Sequence, residues 1–169
     1  MKGRLVKVMN WSEILRPTEP RQIVGNDELV RDMSAWVDNP PSGLLFIGPP
    51  GTGKTTVALV IARLILPGDL YNEMNVLKTN ASDDRGIDYI RQHIKMFVRM
   101  KGIGADRKVV FLDEADGLTP AAQDSLRGIM EQYADRATFI LTANYGDKIR
   151  EAIKSRCRVY TFSNVSPTE

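Results

Sequence analysis

The sequence contains almost none of the residues that build disulfides and zinc sites. Cys157 is its only cysteine and His93 its only histidine. A single cysteine cannot close an internal disulfide, and one residue of each kind is too few for a zinc cluster of four ligands. These counts exclude an internal disulfide and a zinc cluster.

Long apolar segments and a strong net charge are missing too. The longest apolar stretches, 44–47 and 57–66, are too short or too interrupted to cross a bilayer. The charges at Lys2, Arg4 and Lys7 precede no apolar segment with a signal-peptide cleavage site. We therefore expect a cytoplasmic protein, nuclear in a eukaryote, with no membrane partner. The net charge of +2 is too small to indicate nucleic-acid binding.

What remains is the composition of one globular domain. The chain has 169 residues, of which 43% are hydrophobic and 26% charged, enough to bury a substantial core. Basic residues cluster at 148–158, a pattern that by itself indicates a solvated helix face. We predict a loose arm at 1–10, one globular domain at 11–163 and the start of a linker at 164–169.

Short apolar runs alternate with segments of helical periodicity. The runs expected to be strands are 44–47, 76–80, 109–113, 137–143 and 159–162, and their continuous hydrophobicity is typical of parallel strands covered on both faces. Helices are expected at 27–37, at 54–66, from caps at Ser82 and Asp83 through Val98, and from Thr119 through Tyr133. Residues 101–108 are expected to be an exposed loop. The alternation predicts an α/β fold, a three-layer α/β/α sandwich around a parallel sheet.

The strongest motif is Gly48-Pro49-Pro50-Gly51-Thr52-Gly53-Lys54-Thr55. It fits the phosphate-loop pattern and lies between a predicted strand and a predicted helix. Its glycines let the N–H groups from Gly51 to Thr56 converge on phosphates, and the helix N-terminus adds partial positive charge. We expect bound ATP or ADP, with Lys54 on the β- and γ-phosphates and Thr55 on Mg²⁺.

Two carboxylates follow the predicted strand 109–113. Asp113 and Glu114 lie at its carboxyl end, where α/β sheets bind ligands. Asp113 is expected to organise Mg²⁺ and Glu114 to polarise an attacking water. A polar strand end alone would be ambiguous, but this pair complements the phosphate loop. The combination predicts an ATPase.

Two further residues are undecided by local pattern. Asn144 follows the strand 137–143 and is either a turn residue or a group that orients water near a γ-phosphate. Arg156 ends a helix-like segment and is either a surface residue or a group that stabilises the transferred phosphate.

Four motifs taken together resemble the clamp-loader family of AAA+ ATPases, in particular the replication factor C small subunits. They are the phosphate loop, Asp113-Glu114-Ala115-Asp116, Asn80-Ala81-Ser82-Asp83-Asp84-Arg85-Gly86-Ile87-Asp88 and Ser155-Arg156-Cys157. The last two are the discriminating ones. The resemblance extends from about Trp11 to Phe162.

The resemblance implies a P-loop NTPase sheet of order 5-1-4-3-2. It implies that Asn144 is the sensor-1 residue and that Arg156 is an arginine finger acting in trans on the ATP of a neighbouring subunit. It also implies that the segment carrying Arg16, Val24 and Gly25 borders the adenine.

The same resemblance implies the partners: other clamp-loader subunits, a sliding clamp that is opened and placed on primed DNA during replication, and primer–template DNA. Backbone phosphates of DNA would be contacted by Arg85, Gly86, Ile87, Arg91 and Arg127. The alternative for Arg85 and Arg91 is an exposed helix face.

The sequence departs from the family pattern at three points. The opening Trp-x-Glu-Lys-Tyr-Arg-Pro is replaced by Trp11-Ser12-Glu13-Ile14-Leu15-Arg16-Pro17, and Leu-Arg-Arg by Leu126-Arg127-Gly128. The family also continues into a helical lid and a collar, for which we identify no segment in this sequence, so it is either a piece of a longer protein or a divergent member. We therefore expect an AAA+ subtype lacking the helical lid, with weak hydrolysis by the isolated domain.

Other functions remain open from the sequence. A branch-migration motor shares the phosphate loop and acidic pair but normally lacks the Ser-Arg-Cys triplet. A small-molecule kinase would need an acceptor pocket and a closing lid of its own. A regulatory or scaffold subunit would bind ATP with little turnover, although Lys54, Asp113 and Glu114 are all present.

Overall fold

A computed structural model of the chain describes residues 17–81 and 86–164. Several residues singled out above lie outside these ranges. They are the predicted arm at 1–10, the adenine-border residue Arg16, the helix caps Ser82 and Asp83, the DNA-contact candidate Arg85 and residues 165–169 of the predicted linker.

In the described ranges, five strands form one sheet. They are β1 Gly43–Ile47, β2 Val76–Asn80, β3 Lys108–Asp113, β4 Ala137–Ala143 and β5 Arg158–Thr161. All neighbouring pairs are parallel and the order is β2-β3-β4-β1-β5, which is 5-1-4-3-2 read from the other edge. The predicted fold class and the order implied by the resemblance are confirmed. Because the strands are parallel, their carboxyl ends meet at one end of the sheet, here called the carboxyl end, and their starts at the amino end.

The helices connect the strands across both faces of the sheet. They are α1 Asp27–Met33, α2 Lys54–Ile65, α3 at 87–99, α4 Pro120–Gln132 and α5 Glu151–Lys154. α4 begins as predicted, because the Thr119 hydroxyl accepts a hydrogen bond from the Ala122 N–H and Pro120 occupies the first helical position. Within the ranges 17–81 and 86–164, none of the helices is both long and apolar enough to cross a bilayer.

The strands supply side chains alternately to two hydrophobic cores, as the period of two requires. One core joins Leu45, Val110, Leu112, Phe139 and Leu141 to the buried sides of α3, α4 and α5. The other joins Leu44, Phe46, Val109, Phe111 and Ile140 to α1 and α2. These cores on opposite faces give the three layers of the predicted sandwich.

Two helices differ in detail from the prediction. The helix expected at 27–37 ends as an α-helix at Met33 and tightens into the 3₁₀ turn Ser34–Trp36. That turn places the Trp36 ring in the core, where it is 1% exposed. α3 begins at Ile87, directly after Gly86, and consists of Ile87–Tyr89, a π-helical turn Ile90–Ile94 and Lys95–Arg99.

The exposed loop predicted at 101–108 is one residue too long. Lys108 belongs to β3 and is only 4% exposed. Its Nζ donates to the Phe97 carbonyl at 2.8 Å and lies 4.2 Å from the centroid of the Phe97 ring. A lysine tolerates burial when its ammonium finds an acceptor and an aromatic face.

Candidate functional site

The phosphate-loop segment connects the carboxyl end of β1 to the first turn of α2. Gly51 and Gly53 have φ angles of +82° and +89°, which glycine adopts without steric cost. Gly48 packs against the residue that follows β5, since a Cβ at this position would lie 2.2 Å from the Phe162 carbonyl oxygen. The loop conformation therefore depends on glycine at all three positions.

Lys54 is nearly buried, with 7% of the residue exposed. Its Nζ donates to the carbonyl oxygens of Gly48 at 2.6 Å and Pro49 at 2.7 Å. A third acceptor is Oδ1 of Asn144 at 3.0 Å. The structure thus brings together the lysine of the loop and the predicted sensor residue, which are 90 positions apart in the sequence.

The charge of Lys54 is held in a desolvated position. Burial lowers the pKa of this lysine, and the carboxylates of Asp113, Asp116 and Glu114 partly offset that effect. A further negative group beside the ammonium would favour its charged form. The electrostatics suit a lysine that binds an anion.

Asp113 lies opposite the first turn of α2. The Thr55 hydroxyl donates to its Oδ2 at 3.1 Å and its Oδ1 at 3.3 Å. Hydroxyl and carboxylate oxygens are ligands that Mg²⁺ prefers, and this ion usually completes its shell with phosphate and water oxygens. The pair therefore fits the predicted magnesium site. The residues that the structure describes contain no group of three or more His, Cys, Asp or Glu side chains suited to a metal.

Glu114 has an unusual backbone conformation. Its φ of 54° and ψ of 44° lie in the left-handed region, which residues other than glycine rarely adopt. Its N–H donates to the Thr142 hydroxyl of β4 at 3.0 Å. Such conformations often occur at functional sites, where surrounding contacts maintain them.

Asp116 belongs to the same end of the sheet. Its Oδ2 accepts the Tyr145 N–H at 3.1 Å, which ties the turn after β3 to the segment after β4. Its Oδ1 is buried and has no hydrogen-bond partner among residues 17–81 and 86–164. The contact with Tyr145 shows that Asp116 links two loops.

Two adjoining cavities open on the phosphate loop. One of 530 Å³ is lined by polar groups, including Lys54, Thr55, Thr56, Asp113, Glu114 and Asn144, together with Pro50. The other, of 590 Å³, is lined by Pro17, Ile23, Val24, Thr52, Val57 and Phe162, among others. A polar cavity next to a more apolar one matches the chemistry of phosphates next to a base. Val24 lines the second cavity, and Gly25 follows it with a φ of +75°.

Arg156 lies at the amino end of the sheet, away from the phosphate loop. It precedes β5, and a Cβ on Gly43 at the start of β1 would lie 2.5 Å from the Arg156 carbonyl oxygen. Its Nη2 pairs with Glu131 of α4 and its Nη1 donates to the Ala152 carbonyl at 2.5 Å. The Nε atom is buried and has no hydrogen-bond partner in the part of the chain that the structure describes. The structure does not bring this residue to the Lys54 site of its own chain.

The DNA-contact candidates within the described ranges lie on two helices that pack against each other. Gly86 and Ile87 are at the start of α3, and Arg91 is an exposed residue in its π-helical turn. Arg127 on α4 pairs with Glu131, the Nη1–Oε2 distance being 3.2 Å. α3 and α4 contact each other on the same face of the sheet.

Sequence reasoning missed three polar residues that connect these parts. They are Thr142, Gln123 and Glu131. Gln123 is 3% exposed and joins α4 to the segment before α5: its Nε2 donates to the Lys148 carbonyl at 3.0 Å and its Oε1 accepts the Arg150 N–H at 2.9 Å. A threonine inside an apolar strand and a glutamine beside a buried helical stripe were the available signals, because buried polar groups need partners. Glu131 had no such signal.

The chain is similar in sequence to known ATPases and replication proteins. Residues 44–165 match the family described as the ATPase family associated with various cellular activities (AAA). Replication factor C small subunit of Methanosarcina acetivorans is 46% identical over 98% of this chain and 49% of its own length. That of Archaeoglobus fulgidus is 47% identical over 92% and 49%. The chain spans about half the length of these curated relatives.

Two solved structures from Thermotoga maritima share the fold. A DNA polymerase III gamma subunit-related protein has a TM-score of 0.70 and 21% identity, over 84% of this chain and 47% of its own. A RuvB variant has a TM-score of 0.66 and 19% identity, over 88% and 48%. At these identities the likeness concerns the fold alone.

Proposed function

The chain belongs to the AAA family of ATPases, and on this basis we propose that it binds ATP with Mg²⁺ and hydrolyses it as a subunit of a DNA sliding-clamp loader. The single observation that carries the proposal is the division of the site between two ends of the sheet. Lys54, Asp113 and Asn144 converge at the carboxyl end, while Arg156 lies at the amino end. Such a subunit needs a neighbour to complete its chemistry.

ATP would bind with its phosphates on the loop amides and on Lys54. Thr55 and Asp113 would hold the magnesium ion, which supplies charge neutralisation on the β- and γ-phosphates when bound. The base would occupy the cavity lined by Val24 and Phe162. Apolar contacts of this kind favour a planar ring, but they do not distinguish bases by the hydrogen-bonding groups on their edges.

Hydrolysis would use the two polar residues that follow β3 and β4. Glu114 polarises a water for in-line attack on the γ-phosphate, and Asn144 orients it from beside Lys54. Oδ1 of Asn144 contacts Nζ of Lys54 at 3.0 Å, so both side chains can lie close to the oxygens of the γ-phosphate. These positions support the roles of water polariser and sensor.

Arg156 would act on the ATP of the next subunit. β1 has five residues, so the amino and carboxyl ends of the sheet are about 13 Å apart. An arginine side chain at the amino end cannot span that distance past the packed sheet to its own phosphate loop. We therefore assign it to the neighbouring site, where it would stabilise the charge of the transferred phosphate.

DNA and clamp contacts follow from the same assembly. Gly86, Ile87, Arg91 and Arg127 lie on the paired helices α3 and α4, which would track backbone phosphates without reading sequence. The names of the relatives, replication factor C small subunits, support a role in replication. A clamp loader in that role would open a clamp and place it on primed DNA. The RuvB likeness does not favour a branch-migration motor, because it is a likeness of fold.

The test is ATP hydrolysis by the complete subunit in its assembly, with and without primed DNA and clamp, for wild type and Arg156→Ala. We expect stimulation that falls by about 10³-fold in the variant. Arg158→Ala is the matched control, because Arg158 is a more exposed arginine two positions away that contacts Asp32. Unstimulated hydrolysis that is indifferent to Arg156 would refute the clamp-loader proposal.

A further inference from the structure

Thr142 is a polar residue in the most buried strand of the sheet. All seven residues of β4 are buried, and Thr142 is 1% exposed. It lies two positions before Asn144, at the carboxyl end of the sheet. A hydroxyl in such a place is retained only when it is hydrogen-bonded.

The hydroxyl of Thr142 connects the two acidic residues. It donates a hydrogen bond to Oδ1 of Asp113. It accepts the backbone N–H of Glu114 at 3.0 Å. A hydroxyl has one hydrogen and two lone pairs. The hydrogen of Thr142 is donated to the Asp113 carboxylate, and one lone pair accepts the main-chain N–H of Glu114.

These two bonds have different consequences for the site. The bond to Oδ1 orients the Asp113 carboxylate, whose Oδ2 lies nearer to the Thr55 hydroxyl at 3.1 Å. The bond from the Glu114 N–H supports a left-handed backbone with a φ of 54°, and so determines where the Glu114 side chain begins. Mg²⁺ tolerates little deviation from octahedral geometry, which makes the carboxylate orientation important.

We propose that Thr142 is a positioning residue for the magnesium ion and the attacking water. It orients Asp113 through its hydrogen and Glu114 through its lone pair, from the wall of the cavity that Lys54 and Asn144 also line. This inference rests on the proposed function, since it concerns the ion and water of that reaction. Residues that hydrogen-bond to metal ligands without binding the metal themselves typically contribute 10–100-fold to metal affinity. We expect an effect of roughly this size for Thr142.

β4 contains its own matched control. Thr138 is 0% exposed and lies four positions earlier in the same strand. Its hydroxyl donates to the Pro41 carbonyl at 2.7 Å, near the amino end of the sheet. Thr138→Val therefore removes a buried hydroxyl from the same strand without touching the proposed site.

The first experiment is magnesium titration of the binding of mant-ATP, a fluorescent ATP analogue, to the chain. Thr142→Val should raise the magnesium concentration for half-maximal binding about tenfold, while the affinity measured in EDTA stays within about twofold. Thr142→Ser keeps the hydroxyl and should stay within about threefold of wild type. Thr138→Val should not change the magnesium requirement. If Thr142→Val does not fold, Thr142→Ala takes its place, with the same expectation.

The second experiment uses the complete subunit in its assembly. Thr142→Val should lower kcat by about tenfold or more at saturating magnesium, with little change in KM for ATP, because the Glu114 backbone has lost its support. Thr142→Ser should restore kcat. A purely structural hydroxyl would not give this split between kcat and KM.

The outcomes separate this inference from its premise. If wild type binds mant-ATP with magnesium and Thr142→Val has the same magnesium requirement, the positioning role is wrong and the proposed function stands. The positioning role is equally wrong if Thr138→Val raises the magnesium requirement as much as Thr142→Val does. If wild type shows no magnesium-dependent binding, the proposed function and this inference are both overturned.

Discussion

Lys54 and Arg156 are two cations assigned to phosphate, and the structure holds them in contrasting ways. Lys54 is 7% exposed and its closest acceptors are two backbone carbonyls of its own loop. Arg156 has a side chain that is 31% exposed and pairs with a carboxylate on another helix, Glu131. One cation faces inward at the carboxyl end of the sheet, the other outward at the amino end.

The difference favours separate roles for the two cations. A desolvated lysine surrounded by fixed acceptors is suited to an anion that enters its own pocket. A partly exposed arginine at the surface is suited to an anion that is bound by another subunit. Changes at Lys54 should therefore act on the chain that carries them, and changes at Arg156 on its neighbour.

The largest expected effect comes from mixing two inactive subunits. Assemblies of Lys54→Ala alone and of Arg156→Ala alone should each lose stimulated hydrolysis, by about 10³-fold for the finger variant. Mixed assemblies should regain a measurable part of it, because a Lys54→Ala subunit can offer its arginine to an intact site next to it. Recovery is read as phosphate release in co-assembled samples. No recovery at any mixing ratio would show that the arginine does not act in trans.

The next effect is on nucleotide binding by the chain alone. Lys54→Ala should weaken ATP binding by roughly 100-fold, since hydrogen bonds to charged groups contribute about 1.5–3 kcal/mol. Arg156→Ala should leave this affinity unchanged. Calorimetric titration with ATP and magnesium measures both. An equal loss of ATP affinity in the two variants would contradict the proposed difference between Lys54 and Arg156.

Much of this could be predicted from the sequence, and the reasons are local. The strand segments are continuous apolar runs, and the cap of α4 is formed within four residues, from Thr119 to Ala122. Lys54 contacts Gly48 only six positions away. The strand order, in contrast, was implied by the resemblance and not by periodicity. Arg156 contacts Glu131 across 25 positions, and no local pattern marks that pair.

A smaller effect concerns the stability of α4, the helix that supports Arg156. Gly128 lies in this helix, and a Cβ added there would meet no atom of the other described residues within 4 Å, the adjoining backbone of α4 aside. Gly128→Ala should therefore raise the free energy of unfolding by about 1 kcal/mol. Chemical denaturation of the chain measures the change. A destabilised variant would mean that α4 needs glycine at this position.

The smallest expected effect is that of the ion pair itself. Glu131→Gln removes the charge that Arg127 and Arg156 share, but these side chains are 39% and 31% exposed and that of Glu131 is 43% exposed. Partly exposed pairs contribute little, so the free energy of unfolding should fall by less than about 1 kcal/mol. The same denaturation assay measures it. A loss of more than about 2 kcal/mol in the free energy of unfolding would show that this ion pair stabilises the fold in addition to positioning Arg156.

The amino-acid sequence by itself determined the phosphate loop, the acidic pair and the alternation of strands and helices. These depend on residues within about a dozen positions of one another, through backbone hydrogen bonds, glycine conformations and hydrophobic periodicity. Only the tertiary structure decided that Thr142 joins Asp113 to Glu114 and that Arg156 lies one strand length from its own loop. Those relations depend on which strands are neighbours in the sheet, and neighbouring strands are far apart in the chain.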